Sequence, residues 1–277
     1  MDEKVKRGTI DLDVDGVGIR VETYGSGLPV VLLHGLGGPL SWGSVPEILA
    51  QSCRVIVIHF AGFGASSNNG KSFLVADHAS TVVRILDLLG TDRAAIVGNS
   101  FGTLVAVRCC AEHPTRFTRA VLINSVGFRR GLISFLPWGI TSILGYVLKF
   151  TVLRSEKLMC ALSARSFYDV SKRPADLCHQ FYLQISSPGG RDAWVMGMRE
   201  VIRGNPLEWP GDAVQPMLMI WGETDRSVRN GSQRIISLRF PSIRQKIIPE
   251  SGHSVALECP EEVAKLVHAF VKRAGGN

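Results

Sequence analysis

The chain has 277 residues, 45% of them apolar and 20% charged, with 29 glycines and 13 prolines. This fits one large α/β domain or one domain with an insertion, and it excludes global disorder and a collagen-like repeat. Lys and Arg number 31 against 24 Asp and Glu, a net +7; the excess is diffuse, with no basic run beyond two residues, which argues against nucleic-acid binding and suits anionic substrates or membrane surfaces.

Thr9 to Val14 and Val17 to Tyr24 read as strands joined by Asp15-Gly16, a hairpin signal. Continuous apolar runs follow at Val30 to Leu33, Val55 to Ile58, Ala94 to Val97, Ala120 to Ile123, Met217 to Ile220 and Ile247-Ile248. Such runs fit strands covered by helices on both faces of a parallel sheet. Between them, Val75, Ala79, Val82, Leu86 and Leu89 share one helical face, as do Val263, Leu266, Val267, Phe270 and Val271 behind Pro260. The alternation predicts an α/β fold with a mostly parallel sheet and an antiparallel edge at the hairpin.

The alternation breaks over residues 126–212, which read as a mainly helical insertion, or cap, carrying 11 Lys and Arg against 7 Asp and Glu. The expected organisation is a core of residues 1–125 and 213–277 with the cap between. The cap's density of aromatic groups predicts a hydrophobic substrate pocket, with Phe128, Trp138 and Trp194 as candidate lining residues. Gly131 to Leu148 holds no charge and is flanked by Arg129-Arg130 and Lys149. Pro137, Gly139 and Gly145 interrupt it, so a lid is the first reading and peripheral contact with a membrane the second.

Of the six cysteines (53, 109, 110, 160, 178 and 259), none forms C-x-x-C, so no zinc knuckle or thioredoxin-like site is indicated. Cys109 and Cys110 sit in an apolar run and read as buried free thiols. Met1 to Arg7 is charged without an apolar stretch, so a cytoplasmic location, with membrane association as the variant, is the expectation.

The chemistry centres on Gly98-Asn99-Ser100-Phe101-Gly102, between the strand ending at Val97 and a helical run from Phe101. Strand, G-x-S-x-G, helix places a serine on a sharp turn with a helix N-terminus aimed at it. A serine hydroxyl needs a base to take its proton. His253, on the loop after the last strand, lies at the same sheet edge and is the candidate. His78, His113 and His268 fall within or at the ends of helices and read as surface groups; His179 is in the cap. The base needs an acid to hold its ring. Asp225, past the strand Met217 to Ile220, is the candidate, with Glu223 as backup; Asn124-Ser125, after the preceding strand, offers no carboxylate. The glycine-rich His34-Gly35-Leu36-Gly37-Gly38 loop lets backbone N–H groups approach a developing oxyanion, the amides of Leu36 and Phe101 being the candidate donors. His34, Gly35, His59 and Asn99 are further candidates for substrate contact.

These stretches, with Gly62-Phe63-Gly64-Ala65-Ser66, Trp221-Gly222 ahead of Asp225, and Gly252-His253 followed by Glu258-Cys259-Pro260, resemble the α/β-hydrolase superfamily over almost the whole chain. The resemblance implies an eight-stranded, mostly parallel sheet flanked by helices, a helical cap inserted after the sixth strand, and a serine hydrolase with the triad Ser100, Asp225 and His253. Two departures stand out: His59-Phe60-Ala61 where the family has an acid and a proline ahead of Gly-x-Gly-x-Ser, and Thr103 where many relatives have glycine. A serine at the elbow excludes the alkyl-enzyme route of haloalkane dehalogenases and epoxide hydrolases. Asn99 before it resembles the carbon–carbon bond hydrolases that act on ring-fission products.

The expected function is therefore carboxylesterase- or lipase-like cleavage of an ester or similar acyl bond in a hydrophobic small molecule, through an acyl-enzyme on Ser100. Carbon–carbon bond hydrolysis is the alternative, followed by cofactor-free oxygenation or cyclisation, or ligand reception on the same scaffold. No metal or organic cofactor is expected.

Overall fold

The computed structural model describes residues 7–70, 73–128, 145, 147, 149–203, 213–228 and 231–272. Asp15 and Gly16 both take positive φ, 53° and 79°, which a two-residue turn matched to strand twist requires. The turn joins β1 (Arg7–Val14) to β2 (Val17–Tyr24), and β2 pairs antiparallel with β4 (Cys53–Ile58). With β3 (Leu28–Leu33), β5 (Ala94–Asn99), β6 (Phe117–Ile123), β7 (Met217–Gly222) and β8 (Arg244–Ile248) they form an eight-stranded sheet of order β1-β2-β4-β3-β5-β6-β7-β8. All pairs beyond β4 are parallel.

The apolar strands are buried because helices cover both faces. The face lined by Val31, Ile96, Leu122 and Met219 packs against α2 (Val75–Leu88) and α3 (Phe101–Glu112). The face lined by Val30, Leu32, Val97 and Ile220 packs against α1 (Val45–Leu49) and the C-terminal helix, Pro260–Val271. The strand β3 lies between β4 and β5, so the chain leaves it to one side and returns on the other. That reversal opens a crevice beyond the C-terminal ends of β3 and β5, where ligands bind in open α/β sheets.

Two expectations are corrected here. The Ile247-Ile248 run is not a doubly covered strand: β8 is the last strand, Ile247 is 57% exposed, and only Ile248 is buried. Arg244 and Lys246 keep this open edge charged, which discourages pairing with another chain. His78 is not a surface group. It is buried among the rings of Phe60, Phe73 and Phe101, because it stands three residues after Val75 and four before Val82 on the apolar stripe of α2.

Between β6 and β7 the described residues form α4 (Glu156–Ala164), α5 (Leu177–Ser186) and α6 (Gly190–Arg203). Their own apolar cluster is small: Leu153, Met159, Ile185 and Val195. A disulfide joins Cys160 on α4 to Cys178 on α5, with 5.2 Å between the Cα atoms; nothing in the sequence spacing announces it. Cys109 and Cys110 are buried free thiols, and burial pushes both up in pKa. Among the described residues no helix is long and apolar enough to cross a membrane. The Gly131 to Leu148 stretch, apart from Gly145 and Val147, lies outside the described residues, as does Trp138. After β7 come α7 (Ser232–Arg239), α8 (Val255–Glu258) and α9 (Pro260–Val271).

Candidate active site

The strand β5 ends at Asn99 and α3 begins at Phe101, which leaves Ser100 alone at the corner with φ 50° and ψ −116°. The turn is this tight because backbone fills the space around it. A Cβ on Gly102 would overlap the Leu33 carbonyl, and one on Gly35 would come within 2.9 Å of the Ser100 Cβ. Thr103, the departure from the family pattern, turns its hydroxyl back to donate to the Ser100 carbonyl (2.6 Å).

The structure brings Ser100, His253 and Asp225 together from three separate loops. The Ser100 hydroxyl donates to His253 Nε2 (2.9 Å), and His253 Nδ1–H donates to Asp225 Oδ2 (2.7 Å). The Asp225 side chain is fully buried, and that of His253 is 16% exposed. The other carboxylate oxygen of Asp225 accepts from the N–H groups of Ser227 (2.8 Å) and Val228 (3.2 Å). These bonds fix its orientation without competing for the imidazole. Glu223, the backup acid, is exposed at the mouth of the turn, where it accepts from the Glu250 N–H instead.

Asn124 is the residue that sequence reasoning passed over as an empty acid position. It takes φ 45° and is fully buried. Its amide nitrogen donates to the carbonyls of Gly252 (3.1 Å) and His253 (2.8 Å), and its oxygen accepts from the Gly222 N–H (2.9 Å). One side chain thus holds the β7 turn and the histidine loop together. Glu258, quoted for its motif alone, accepts from the Gly252 N–H (2.8 Å).

On the other side of Ser100, the Gly38 N–H donates to the Gly35 carbonyl (3.0 Å). This turn leaves the Leu36 N–H outside its own hydrogen bond. Phe101 is the first residue of α3, so its N–H has no intrahelical acceptor. His34 lies behind the loop rather than in the crevice, contrary to its expected substrate contact. It is fully buried; Nδ1–H donates to the Gly35 carbonyl (2.7 Å) and Nε2 accepts from the Phe60 N–H (3.0 Å). Burial lowers its pKa to about 3, which keeps the ring neutral. Gln184, from α5, sits against Gly38. Its amide donates to the Gly37 carbonyl (3.3 Å) and accepts from the Gly64 N–H (3.2 Å).

Of the remaining candidates, His59 is turned toward β2, where Nε2 meets Glu22 Oε1 at 3.4 Å. It holds the Glu22 carboxyl down to about 2 against the burial that would raise it. A histidine in the family's acidic position has found a carboxylate of its own, which accounts for its not facing substrate. Phe128 is buried against Phe240 (6.4 Å between centroids) and belongs to the core, not to a pocket wall. Asn99 is buried at the end of β5, and among the described residues its side-chain oxygen has no partner. Trp194, on α6, packs between the core and cap clusters, and its buried indole N–H has no partner among the described residues. The same helix crosses so close at Gly197 that a Cβ there would meet Leu36. Among the described residues no group of three or more His, Cys, Asp or Glu side chains could hold a metal ion.

Such an arrangement can deliver a serine alkoxide equivalent to a carbonyl carbon beside two free backbone N–H groups. Comparison with known proteins finds relatives along nearly the whole chain. The chain is 28% identical to 2-hydroxymuconate semialdehyde hydrolase of Pseudomonas sp. (strain CF600), covering 96% of this chain and 95% of that one. It is 29% identical to a Pseudomonas putida protein of the same name, covering 94% and 92%. Among solved structures, it resembles 2-hydroxy-6-oxo-6-phenylhexa-2,4-dienoate hydrolase of Rhodococcus sp. strain RHA1 (TM-score 0.81, 20% identity, 96% and 98% covered). It also resembles a membrane phospholipase A (TM-score 0.80, 24% identity, 98% and 88% covered). With the sheet order, the serine corner and a match of residues 29–260 to the family's sequence model, the chain belongs to the α/β hydrolase fold family.

Proposed function

We propose that this hydrolase cleaves a carbon–carbon bond next to a ketone in a conjugated ring-fission product, with Ser100, His253 and Asp225 as its catalytic residues. The observation that carries the reading is the aligned relay from Ser100 through His253 to Asp225, at 2.9 and 2.7 Å. The relatives that match over nearly full length supply the substrate class. Ester cleavage, the first expectation from sequence, becomes the second reading.

In this mechanism His253 takes the Ser100 proton as Oγ adds to the ketone carbon, and Asp225 stabilises the imidazolium. The N–H groups of Leu36 and Phe101 receive the oxyanion. Collapse of the adduct breaks the bond to the neighbouring carbon. With the substrate in its keto form, the enol hydroxyl proton having moved to that carbon, it leaves as a carbanion delocalised over the enone, and the resulting dienolate takes the proton held by His253. A water molecule deprotonated by His253 then hydrolyses the acyl-enzyme and frees Ser100. The leaving carbon must be conjugated, because an isolated carbanion is far too basic to depart. An ester needs the same machinery with an alkoxide as leaving group. What favours that second reading is the apolar surround of Leu36 and Phe101 under α6 at Gly197.

The test sets a 2-hydroxy-6-oxo-dienoate, followed by loss of its visible absorbance, against a chain-length series of p-nitrophenyl esters. Turnover of the dienoate well above that of the best ester is expected, and Ser100→Ala lowers it by at least about 10⁴-fold. Preference for esters replaces the first reading with the second. Unimpaired turnover by Ser100→Ala removes both.

A further inference from the structure

We propose that Glu258 is a positioning residue that couples the seating of the cap to the alignment of His253. The inference rests on His253 being the catalytic base. Glu258 is only 7% exposed, and among the described residues its carboxylate bonds to backbone N–H groups alone. One carboxylate oxygen accepts from the N–H of Gly252, the residue before His253 (2.8 Å). The other accepts from the cap, from the N–H groups of Tyr168 (2.8 Å) and Asp169 (3.1 Å).

The same cap segment lies directly on the histidine loop. The Ser254 N–H donates to the Ser166 carbonyl (2.8 Å). A side chain at Gly252 would stand 2.6 Å from that carbonyl and 2.9 Å from the Tyr168 nitrogen. From the opposite side Asn124 grips the carbonyls of Gly252 and His253. The peptide that carries the imidazole is therefore clamped between a core amide and a carboxylate whose other oxygen belongs to the cap.

The chemistry of the side chain explains why an acid stands there. An ionised carboxylate accepts at both oxygens, and three N–H donors face it. Glutamine has the same size but turns one end into a donor. Glu258→Gln must therefore release either Gly252 or the pair Tyr168 and Asp169. Either loss lets the loop drift relative to Ser100, and a shift of about 1 Å in a reacting group costs on the order of 100-fold in rate.

The experiment measures the inactivation rate of Ser100 by a fluorophosphonate, the low-field proton resonance of the His253–Asp225 hydrogen bond, kcat and KM, and the melting temperature. In Glu258→Gln, inactivation and kcat are expected to fall about 10- to 100-fold with KM nearly unchanged, and the resonance to broaden. Glu258→Asp, which keeps both acceptors at shorter reach, is expected to fall between the two and covers the case in which Glu258→Gln does not fold. A lowered melting temperature with wild-type inactivation rate and resonance would overturn the proposal, as would full reactivity of Glu258→Asp. If the unmodified protein itself resists the phosphonate, it is the hydrolase reading that fails.

Discussion

The core and the cap are held by different physics. In the core, Val30 to Leu33, Ala94 to Val97 and Ala120 to Ile123 are fully or almost fully buried, and the serine corner is wedged by backbone against Gly102 and Gly35. Among the described residues the cap has a small apolar cluster of its own, and it meets the core through the apolar contacts of Ala193, Trp194 and Val201 and through polar side chains that bond to backbone. Asn68 donates to the Gly189 carbonyl (3.2 Å), Glu200 accepts from the Val75 N–H (3.0 Å), Gln184 spans Gly37 and Gly64, and Glu258 takes Tyr168 and Asp169. Each such bond contributes about 0.5–1.5 kcal/mol net, because water can replace it. Apolar burial has no such substitute. The cap is thus the part that can unseat while the sheet stays folded.

That contrast can be attacked from either side. The largest effect is expected from Gly102→Ala. The new methyl meets the Leu33 and His34 carbonyls, neither of which can swing aside. Destabilisation of about 3 kcal/mol or more follows, visible in urea unfolding. An equally stable Gly102→Ala would mean the corner is less tightly built than described.

Acid attacks the same core. Burial lowers His34 and His78 from 6.5 to about 3, so both are neutral when folded. Unfolding exposes them to protonation as soon as the pH drops below 6.5. Stability is therefore complete above that value and declines as pH falls toward 3, by about 1.4 kcal/mol per unit for each histidine. His78→Leu should halve this slope in unfolding measured between pH 6 and 4. An unchanged slope would assign the acid sensitivity elsewhere.

The smallest effect on the whole molecule is expected from reducing Cys160–Cys178. The bridge closes a loop with a sequence separation of 18, and a loop of that order contributes about 3 kcal/mol to the region it spans. Hydrogen exchange should rise in α4 and α5 and stay constant in the sheet. A matching rise in β5 would show that cap and core unfold as one unit.

The serine corner was legible in the sequence because its signal is local: an apolar strand, two glycines flanking the serine, and a helix within a dozen residues. His78 was misread as a surface group from its helical position, although the apolar stripe through Val75 and Val82 passes through it and placed it inside. Phe128 and His34 show the limit of composition. An aromatic ring or a histidine beside a site looks the same in sequence whether it faces substrate or packs behind the backbone. Asn124, Glu258 and Gln184 were invisible for another reason. Their partners are carbonyls and N–H groups, which every residue carries, and most of those lie on distant segments of the chain. The Cys160–Cys178 pairing was hidden likewise, because it depends on how two cap helices face each other.

The dihedral angles of Ser100 carry one more consequence. A φ of 50° with ψ of −116° is a conformation that L-residues avoid and glycine tolerates. Holding a side chain there costs on the order of 1–3 kcal/mol. Ser100→Gly should therefore yield a catalytically dead protein that melts at a higher temperature than its parent, and an unaltered or lower melting point would count against the strain. The nucleophile is then the place where the fold is least at ease, and inactivation should relax it.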